Sequence, residues 1–458
     1  MPDLMETLVD HLVHTSWEDL PAEAIEGTKK NILDTLGCVI AGSSATACDE
    51  VASLVKEWGG KPECTVSIYG GKVPAPMAAL ANATMARARD VGNTHMRANV
   101  HPSEYVIPPA LAMAERQGSS GKDFLLAVAL GEDILCRIGN TLKEICGVSG
   151  RYNMFRIFGP TAAGARLLGL DAEKSLMAMG LAYMQAGGDM QAYKDGALSV
   201  RVQQGLVGDA ALKSVFLAER GVTGSRNILQ GPFGFYYAYE PEHDLAPLTE
   251  NLGRVYEGAR SAFKPYPCCA CTHASISATL ELVTEHNILP DEVEAIKVSV
   301  DTQSFNLVAE PRELKTKPRF IVDGQFSIPF TVARAILNRD VFIAEFTEET
   351  IRDQRTLALA EKVTVSCDKE KDGRSGGFPA EVTISTSRGD FYRRVDYVKG
   401  SMENPMSMED IITKFRKCIE YSARPIPEQT TEHIIEAVVS LESLGNTAEL
   451  AELLSPDG

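Results

Sequence analysis

Over the first 260 or so residues, apolar positions return every three to four residues, the interval that gathers them on one face of an α-helix. In AEAIEGTKKNILDTLGCVIAGS, Ile25, Ile32, Leu33 and Leu36 share a face, and Gly42, Ser43 and Ser44 end the run. MAALANATMARARD and IPPALAMAERQG read as further helices, the second opening on prolines and closing on Gly118, as helix ends prefer. GKDFLLAVALGEDILCRIG and GPTAAGARLLGL are apolar nearly all round, which predicts central helices of a bundle, and their small residues allow close helix–helix approach. After residue 285 the period changes. AIKVSVDTQ and EKVTVSC alternate apolar and polar positions as half-buried strands do, and AEVTISTSRGDFYRRVDYV predicts a hairpin with Arg388 and Gly389 near its turn. Helical spacing returns in MEDIITKFRKCIEYSA and TEHIIEAVVSLESL. The pattern predicts a mainly α chain: a large helical domain over residues 1–267, a smaller α+β domain over 268–400, and a helical return over 401–458.

The chain has 458 residues, enough for two or three domains with a large buried core. Its formal net charge of −17 offers no basic face to nucleic acid or to an anionic membrane, so neither is expected as a partner. An anionic small molecule stays possible, because a few local cations override the global field at short range. The opening MPDLMETLVDHLV is amphipathic and acidic where a secretory signal would be basic. Runs such as FLLAVALG fall short of the roughly 20 residues needed to span a bilayer. Ten cysteines scattered along the chain fit reduced thiols in a cytoplasm better than a disulfide framework.

Three stretches could carry chemistry. ARDVGNTHMRANVHPSEYVIPPA sets Asp90, Thr94, His95, Arg97, His101 and Ser103 in a loop between two apolar helices. Acid, hydroxyl and imidazole together suit proton transfer beside a carboxylate, and a solvated helix connection capped by Ser103 would read the same way. FKPYPCCACTH packs Cys268, Cys269, Cys271 and His273 into six residues, with Lys264 ahead of them. No second C-x-x-C accompanies it, so small thiols packing a turn are favoured over zinc or an iron–sulfur cluster. Pro265 and Pro267 stiffen the backbone, so Lys264 and His273 can be aimed from a rigid loop. YKDGALSVRVQQGLVGDAALKSVFLAERGVTG sets Lys194 and Arg201 about a Gly196 turn that opens a helix, either a carboxylate-binding end or solvated charge. No P-loop, dinucleotide fingerprint or nucleophile elbow is present.

ILDTLGCVIAG, the Asp90…Thr94…His101-Pro102-Ser103 loop, GPTAAGARLLGL, FLAERGVTG, FKPYPCCACTH and VDGQFSIPF, in this order, resemble the MmgE/PrpD family over nearly the whole chain. That family includes 2-methylcitrate dehydratase, cis-aconitate decarboxylase and iminodisuccinate epimerase. The resemblance implies a large all-helical domain built from both chain ends, a smaller α+β lid, a homodimer, and an active site in the cleft between the two domains. It also implies catalysis with no metal and no organic cofactor, with Asp90, Thr94, His101, Lys264 and His273 matching the family's site residues. The chain departs from the family pattern at three places. Gly150 and Gln203 stand where the pattern has histidines, and Val200 where it has a lysine. Arg151, Arg156 or Arg201 could restore a carboxylate clamp, but none replaces an imidazole as a base near neutral pH.

The implied chemistry removes or relocates a proton or carboxyl group next to a carboxylate, through an anion that nearby cations stabilise. The expected activity is therefore a cofactor-independent lyase of dehydratase type acting on a small di- or tricarboxylate. His101 is the expected general acid/base, with Asp90 orienting it or sharing its proton. Lys264 is expected to bind a carboxylate and stabilise developing charge. Thr94, Ser103, Arg201, Tyr266 and His273 are expected to hold the substrate. An isomerase or epimerase and a decarboxylase are the alternatives within the fold. A diverged, non-catalytic carboxylate binder is the alternative of another class.

Overall fold

Side-chain caps start several helices, each satisfying a backbone N–H that the first turn leaves without an intrahelical acceptor. Asp3 accepts from Met5 N, Ser120 from Asp123 N, Asp171 from Lys174 N and Ser407 from Asp410 N. The computed structural model describes residues 3–143, 150–373 and 377–455, with only the backbone of Lys194. The chain is mainly α, and it forms two compact units, Met1–Ser261 with Ser407–Gly458, and Ala262–Met406. None of the described helices is long and apolar enough to cross a membrane.

The first unit runs α1 (Leu4–His14), α2 (Ala22–Gly42), α3 (Cys48–Trp58), β1 (Cys64–Thr65), β2 (Lys72–Val73), α4 (Ala75–Arg87), α5 (Pro102–Gln117), α6 (Gly121–Asn140), α7 (Phe158–Leu167), α8 (Ala172–Gln185), α9 (Gln191–Asp195), α10 (Ser199–Glu219) and α11 (Phe235–Tyr239). Helices Met408–Ile419 and Glu428–Val439 rejoin it from the other chain end. The β1–β2 ribbon corrects the all-helical expectation for this unit. α6 is central, as its all-round apolar pattern predicts. Even its Glu132, Asp133 and Arg137 are buried, Arg137 donating to Asp133 (2.7 Å) and to the carbonyls of Glu250 (2.8 Å) and Val255 (2.7 Å). Buried charge is tolerated there because it is paired and hydrogen-bonded. α10 crosses α4 so closely that a Cβ at Gly205 would lie 2.3 Å from the Leu80 carbonyl oxygen. α5 starts at Pro102, not at the later prolines, so Pro108 and Pro109 fall inside the helix and remove the donors for the Glu104 and Tyr105 carbonyls.

The second unit is built on a four-stranded sheet ordered β4-β3-β5-β6, from β3 (Val293–Val300), β4 (Val363–Cys367), β5 (Ala380–Thr386) and β6 (Gly389–Val395). β3 pairs parallel with β4, Ile296 opposite Val363, and antiparallel with β5, Val298 opposite Val382. The β5–β6 hairpin turns at Ser387 and Arg388, Thr386 opposite Gly389. α12 (His273–Glu285) and helix Ile328–Asn338 join the core, Ala274, Ala278, Leu282, Val332 and Ile336 packing with Ile296, Val298 and Ile384. Unit boundaries at 261/262 and 406/407 replace the expected breaks after 267 and 400. The reason is a bond from Phe263 N to Gly400 O (2.8 Å), which fastens the start of FKPYPCCACTH to the far end of its own unit.

Candidate active site

The Asp90–His101 loop is held from several sides within the first unit. Asp90 takes a left-handed conformation (φ 54°), which an aspartate tolerates better than most residues and which turns the chain out of α4. Its carboxylate accepts from Arg87, one helical turn earlier, whose Nε also lies 3.7 Å from Glu104. Burial works against the Arg87 charge, but Asp90 overcomes it and holds the guanidinium well above its ordinary pKa. Lys414, from the C-terminal return, donates to the Val91 carbonyl (2.7 Å) while paired with Asp34 (2.6 Å). His95 and Val100 exchange backbone bonds and close the loop.

His95 is buried and belongs to the frame. Its Nδ1 accepts from Ala98 N (3.1 Å), so its Nε2 carries the proton and donates to Glu257 (3.2 Å). That hydrogen bond, with Asn140 adding another, pulls the Glu257 carboxyl down to about 2. The exposed Arg97 and Arg260 line a small polar pocket with Asn140 and Glu257.

His101 is the N-cap of α5, with Pro102 at the first helical position. Its Nδ1 lies 2.8 Å from the Asn93 carbonyl and 3.0 Å from the Thr94 hydroxyl. A carbonyl only accepts, so Nδ1 holds the proton in the neutral ring and Nε2 is the nitrogen that takes up or gives one. The Asn93 carbonyl and Thr94 hydroxyl thus stand at Nδ1, and Asp90, expected to orient the ring or share its proton, accepts from Arg87. Thr94, expected at the substrate, has its hydroxyl on this imidazole.

Ser103, expected both as the helix cap and as a substrate ligand, is fully enclosed and caps nothing, since the helix starts one residue before it. Its hydroxyl donates to Glu132 (2.5 Å) and accepts from Asn93 Nδ2 (2.6 Å). Asn93 Nδ2 also donates to Asn31 Oδ1 (2.9 Å), and Asn31 Nδ2 donates to Glu132 (2.7 Å). Asn93 therefore presents its carbonyl to His101 from a closed ring of buried polar groups. Burial pushes the Glu132 carboxyl up to about 7, against the two hydrogen bonds.

Around Arg87 lie two phenols, Tyr152 and Tyr193, their rings 5.3 Å apart. Burial and the neighbouring Tyr152 push the Tyr193 phenol far up, so it stays a neutral donor. The departures from the family pattern fall in this part of the first unit. Gly150 has φ 62° and its carbonyl accepts from Met190 N (3.1 Å), while Gln203 is buried and accepts from Asp189 N (3.1 Å). Among the arginines considered as replacements, Arg151 is exposed, and Arg156 is packed between the rings of Tyr152 and Phe155 and donates to Asn99 O (3.2 Å). Arg201 is buried in the first turn of α10 and donates to Thr46 O (2.8 Å). Gly196, at φ 66°, ends α9, and α10 starts at Ser199; the Lys194 side chain lies outside the described residues.

In the second unit, the stretch from Lys264 to His273 is set by packing. Lys264 is buried. Cys268 packs with Ile276, Phe330 and Phe346, and Cys269 and Cys271 pack in the sheet core. The thiols thus serve the turn as small apolar groups. His273, the first residue of α12, has Nε2 3.1 Å from the Cys268 carbonyl, which fixes the proton on Nε2 and leaves Nδ1 as the accepting nitrogen of the neutral ring. Tyr266 stacks edge-on against this imidazole at 5.4 Å, its hydroxyl 3.0 Å from Ser277 Oγ. Gln325 clasps the turn, donating to Pro267 O (2.8 Å) and accepting from Cys269 N (3.0 Å). Gln325, Asn93, Asn31, Glu132, Arg87 and Tyr193 are functional supports outside the residues expected from sequence. Only Arg87 carried a local signal, an arginine three residues before an aspartate at a helix end.

The model of the MmgE/PrpD N-terminal domain matches residues 6–248 and that of the C-terminal domain matches residues 266–441. Cis-aconitate decarboxylase of Aspergillus terreus is 25% identical over 96% of this chain and 93% of its own length. Cis-aconitate decarboxylase of Mus musculus is 26% identical over 94% and 89%, and the cis-aconitate decarboxylase-like protein oryM of Aspergillus oryzae is 23% identical over 95% and 94%. With both domain models matched in order along its length, the chain belongs to the MmgE/PrpD family.

Proposed function

We propose that this chain is a cofactor-independent lyase acting on a small di- or tricarboxylate, with decarboxylation as its reaction and a cis-aconitate-like acid as its substrate. The observation that carries the reading is His101, with Nδ1 directed at the Asn93 carbonyl and Nε2 as the proton-transferring atom, on the same loop as Asp90, which accepts from Arg87 at the end of α4. The names of the relatives move decarboxylation ahead of dehydration, the reaction expected first from sequence. The chemistry agrees with that order. Loss of CO2 from an unsaturated acid breaks one carbon–carboxylate bond, and the electron pair, spread over the adjacent alkene, takes one proton from doubly protonated His101 at Nε2. One proton donor suffices. An epimerase needs donors on both faces, and Gly150 and Gln203 stand where the family pattern has its further imidazoles.

In this reading Lys264 binds a carboxylate and stabilises the anion, while Tyr266 and His273 position the substrate. In this reading the protein works as a homodimer, and Met184 and Phe233 are exposed apolar side chains of the kind such a contact covers. Light scattering at about twice the 49.6 kDa chain mass is the expected result, and a monomer at micromolar concentration removes the dimer.

The deciding experiment follows cis-aconitate and related acids by proton NMR in D2O. CO2 release with one deuteron gained per turnover is expected, unchanged by chelator. Loss of water from a hydroxy acid would make the enzyme a dehydratase, and solvent exchange without product an isomerase. Binding without change would leave the non-catalytic reading.

A further inference from the structure

One buried cation shapes a cavity of about 130 Å³ in the first unit. Arg137 of α6 donates to the carbonyls of Pro247 (3.2 Å), Glu250 (2.8 Å), Asn251 (3.4 Å) and Val255 (2.7 Å), and these four residues line the cavity. Asp133, paired with Arg137, accepts from Glu257 N (2.8 Å) and fixes the start of the short helix Glu257–Arg260. Both ends of that helix line the cavity too, as does Arg97 of the Asp90–His101 loop. The charges there are incompletely matched. Arg97 is exposed and makes no hydrogen bond or ion pair among the described residues, and the exposed Glu250 carboxylate makes none either. Arg260 Nη1 stands 3.9 Å from Glu257 Oε1, beyond hydrogen-bond reach. Asn140, 8% exposed, donates from Nδ2 to Glu257 Oε2 (3.2 Å), while its Oδ1 has no hydrogen-bond partner.

Two guanidinium groups and two carboxylates around one cavity select a ligand by charge. A polyanion entering it meets Glu250 and Glu257, and a simple ammonium ion meets Arg97 and Arg260. A molecule that carries both signs close together meets each with its opposite. In an α-amino acid the ammonium nitrogen and the carboxylate carbon are two bonds apart, roughly 2.5 Å, so its charges can lie alongside Arg260 and Glu257. We propose that this cavity binds an α-amino acid as its zwitterion, the carboxylate on Arg97 and Arg260 and the ammonium on Glu257 Oε1 and Asn140 Oδ1. Glu257 is a ready acceptor, its carboxyl held down at about 2 chiefly by the His95 hydrogen bond. The proposal stands apart from the lyase reading, since binding needs no turnover. The site also bears on the Asp90–His101 loop. Arg97 lies between His95 and Val100, whose backbone bonds close that loop, and Glu257 Oε2 accepts from His95 (3.2 Å). A bound amino acid therefore ties the loop to the Glu257–Arg260 helix through Arg97 as well as through His95.

The test begins with thermal melts of the full chain in each of the standard L-amino acids at millimolar concentration, followed by calorimetry on those that raise the midpoint. The strongest binder is then compared with its carboxamide, which lacks the anionic end, and with its deaminated acid, which lacks the cationic one. Each counterpart is expected to bind roughly 10- to 100-fold more weakly, and Arg97→Ala and Arg260→Ala are expected to weaken the amino acid itself as much. Both arginines are exposed, so without ligand the variants should melt as the unmodified protein does. At about ten times Kd, hydrogen exchange over residues 95–100 should slow roughly tenfold, because the loop opens only from the unliganded form. Failure of every amino acid to bind overturns the proposal. So does affinity unchanged in both variants, which places the ligand elsewhere, or equal affinity for the deaminated acid, which leaves a plain anion site. Unaltered exchange at saturation overturns the tie between the cavity and the loop.

Discussion

In the first unit, His101 gives its Nδ1 proton to the Asn93 carbonyl; in the second, His273 gives its Nε2 proton to the Cys268 carbonyl. The carbonyls are held by different means. Asn93 belongs to a ring of Asn31, Ser103 and Glu132, every member buried and hydrogen-bonded to its neighbours. Cys268 is wedged among Ile276, Phe330 and Phe346 in a turn stiffened by prolines and clasped by Gln325. A polar frame is directional and responds to protonation, whereas an apolar one responds to volume. The two loops should therefore fail under different insults, although each performs the same local task of fixing one imidazole nitrogen.

The largest contrast is in turnover. His101→Ala should lower kcat about 10²–10⁴-fold with the fold intact, as loss of a positioned proton carrier does. His273→Ala should act mainly on KM. Equal losses in kcat from both variants would erase the distinction between proton carrier and positioner. Lys264→Ala should cost about 10²-fold through lost stabilisation of the anion, and Lys264→Arg should not restore it fully, because a planar guanidinium does not replace a compact ammonium. Full rescue by arginine would reduce Lys264 to a general positive charge.

Stability separates the frames next. Asn93→Ala removes the amide that donates to Ser103 and Asn31 while keeping the backbone carbonyl that His101 meets; it should cost about 1–3 kcal/mol in denaturant unfolding, with a loss of activity as that carbonyl loses its frame. Cys271→Ala, in the sheet core beside that turn, should cost about 1–2 kcal/mol with turnover little changed. Loss of turnover with retained stability in Cys271→Ala would give that thiol a chemical role.

The smallest effect is the pH response of the polar frame in the first unit. The Glu132 carboxyl is raised from 4.5 to about 7, so the fold favours its neutral form and the associated stability is lost as pH rises through about 7. Glu257 is lowered from 4.5 to about 2, so its contribution is present above pH 4.5 and lost as pH falls towards 2. Unfolding measured from pH 4 to 8 should show a decline between about pH 4.5 and 7 that Glu132→Gln flattens; an identical slope in both proteins would detach Glu132 from the frame.

Much of the architecture was legible in the chain. The period-two runs became β3, β4 and the β5–β6 hairpin, and the all-round apolar run around Phe124–Ile138 became a buried helix. The miss at α5 came from proline, which suits a helix start and so drew the boundary to Pro108 when Pro102 was the true first residue. At the candidate site, the Asp90–His101 loop and the Lys264–His273 stretch were visible as clusters of chemistry-bearing residues. Their supports were not. Asn31, Glu132 and Lys414 lie on helices distant in sequence from the loop they hold, and a buried asparagine or glutamate inside an apolar helix gives no sign of which partner it meets.

The sequence by itself determined what depends on neighbours along the chain: the helix and strand periods, the caps, the stiff prolines and the family motifs in their order. Tertiary structure alone decided which nitrogen of each histidine holds the proton, because that is set by a carbonyl whose position depends on packing. It decided that Ser103 belongs to the frame and that Arg89 and Arg201, 112 positions apart, both reach the segment 41–46. Periodicity reports which face of an element is buried; burial alone does not say against what, and hydrogen bonds and charge depend on that second fact.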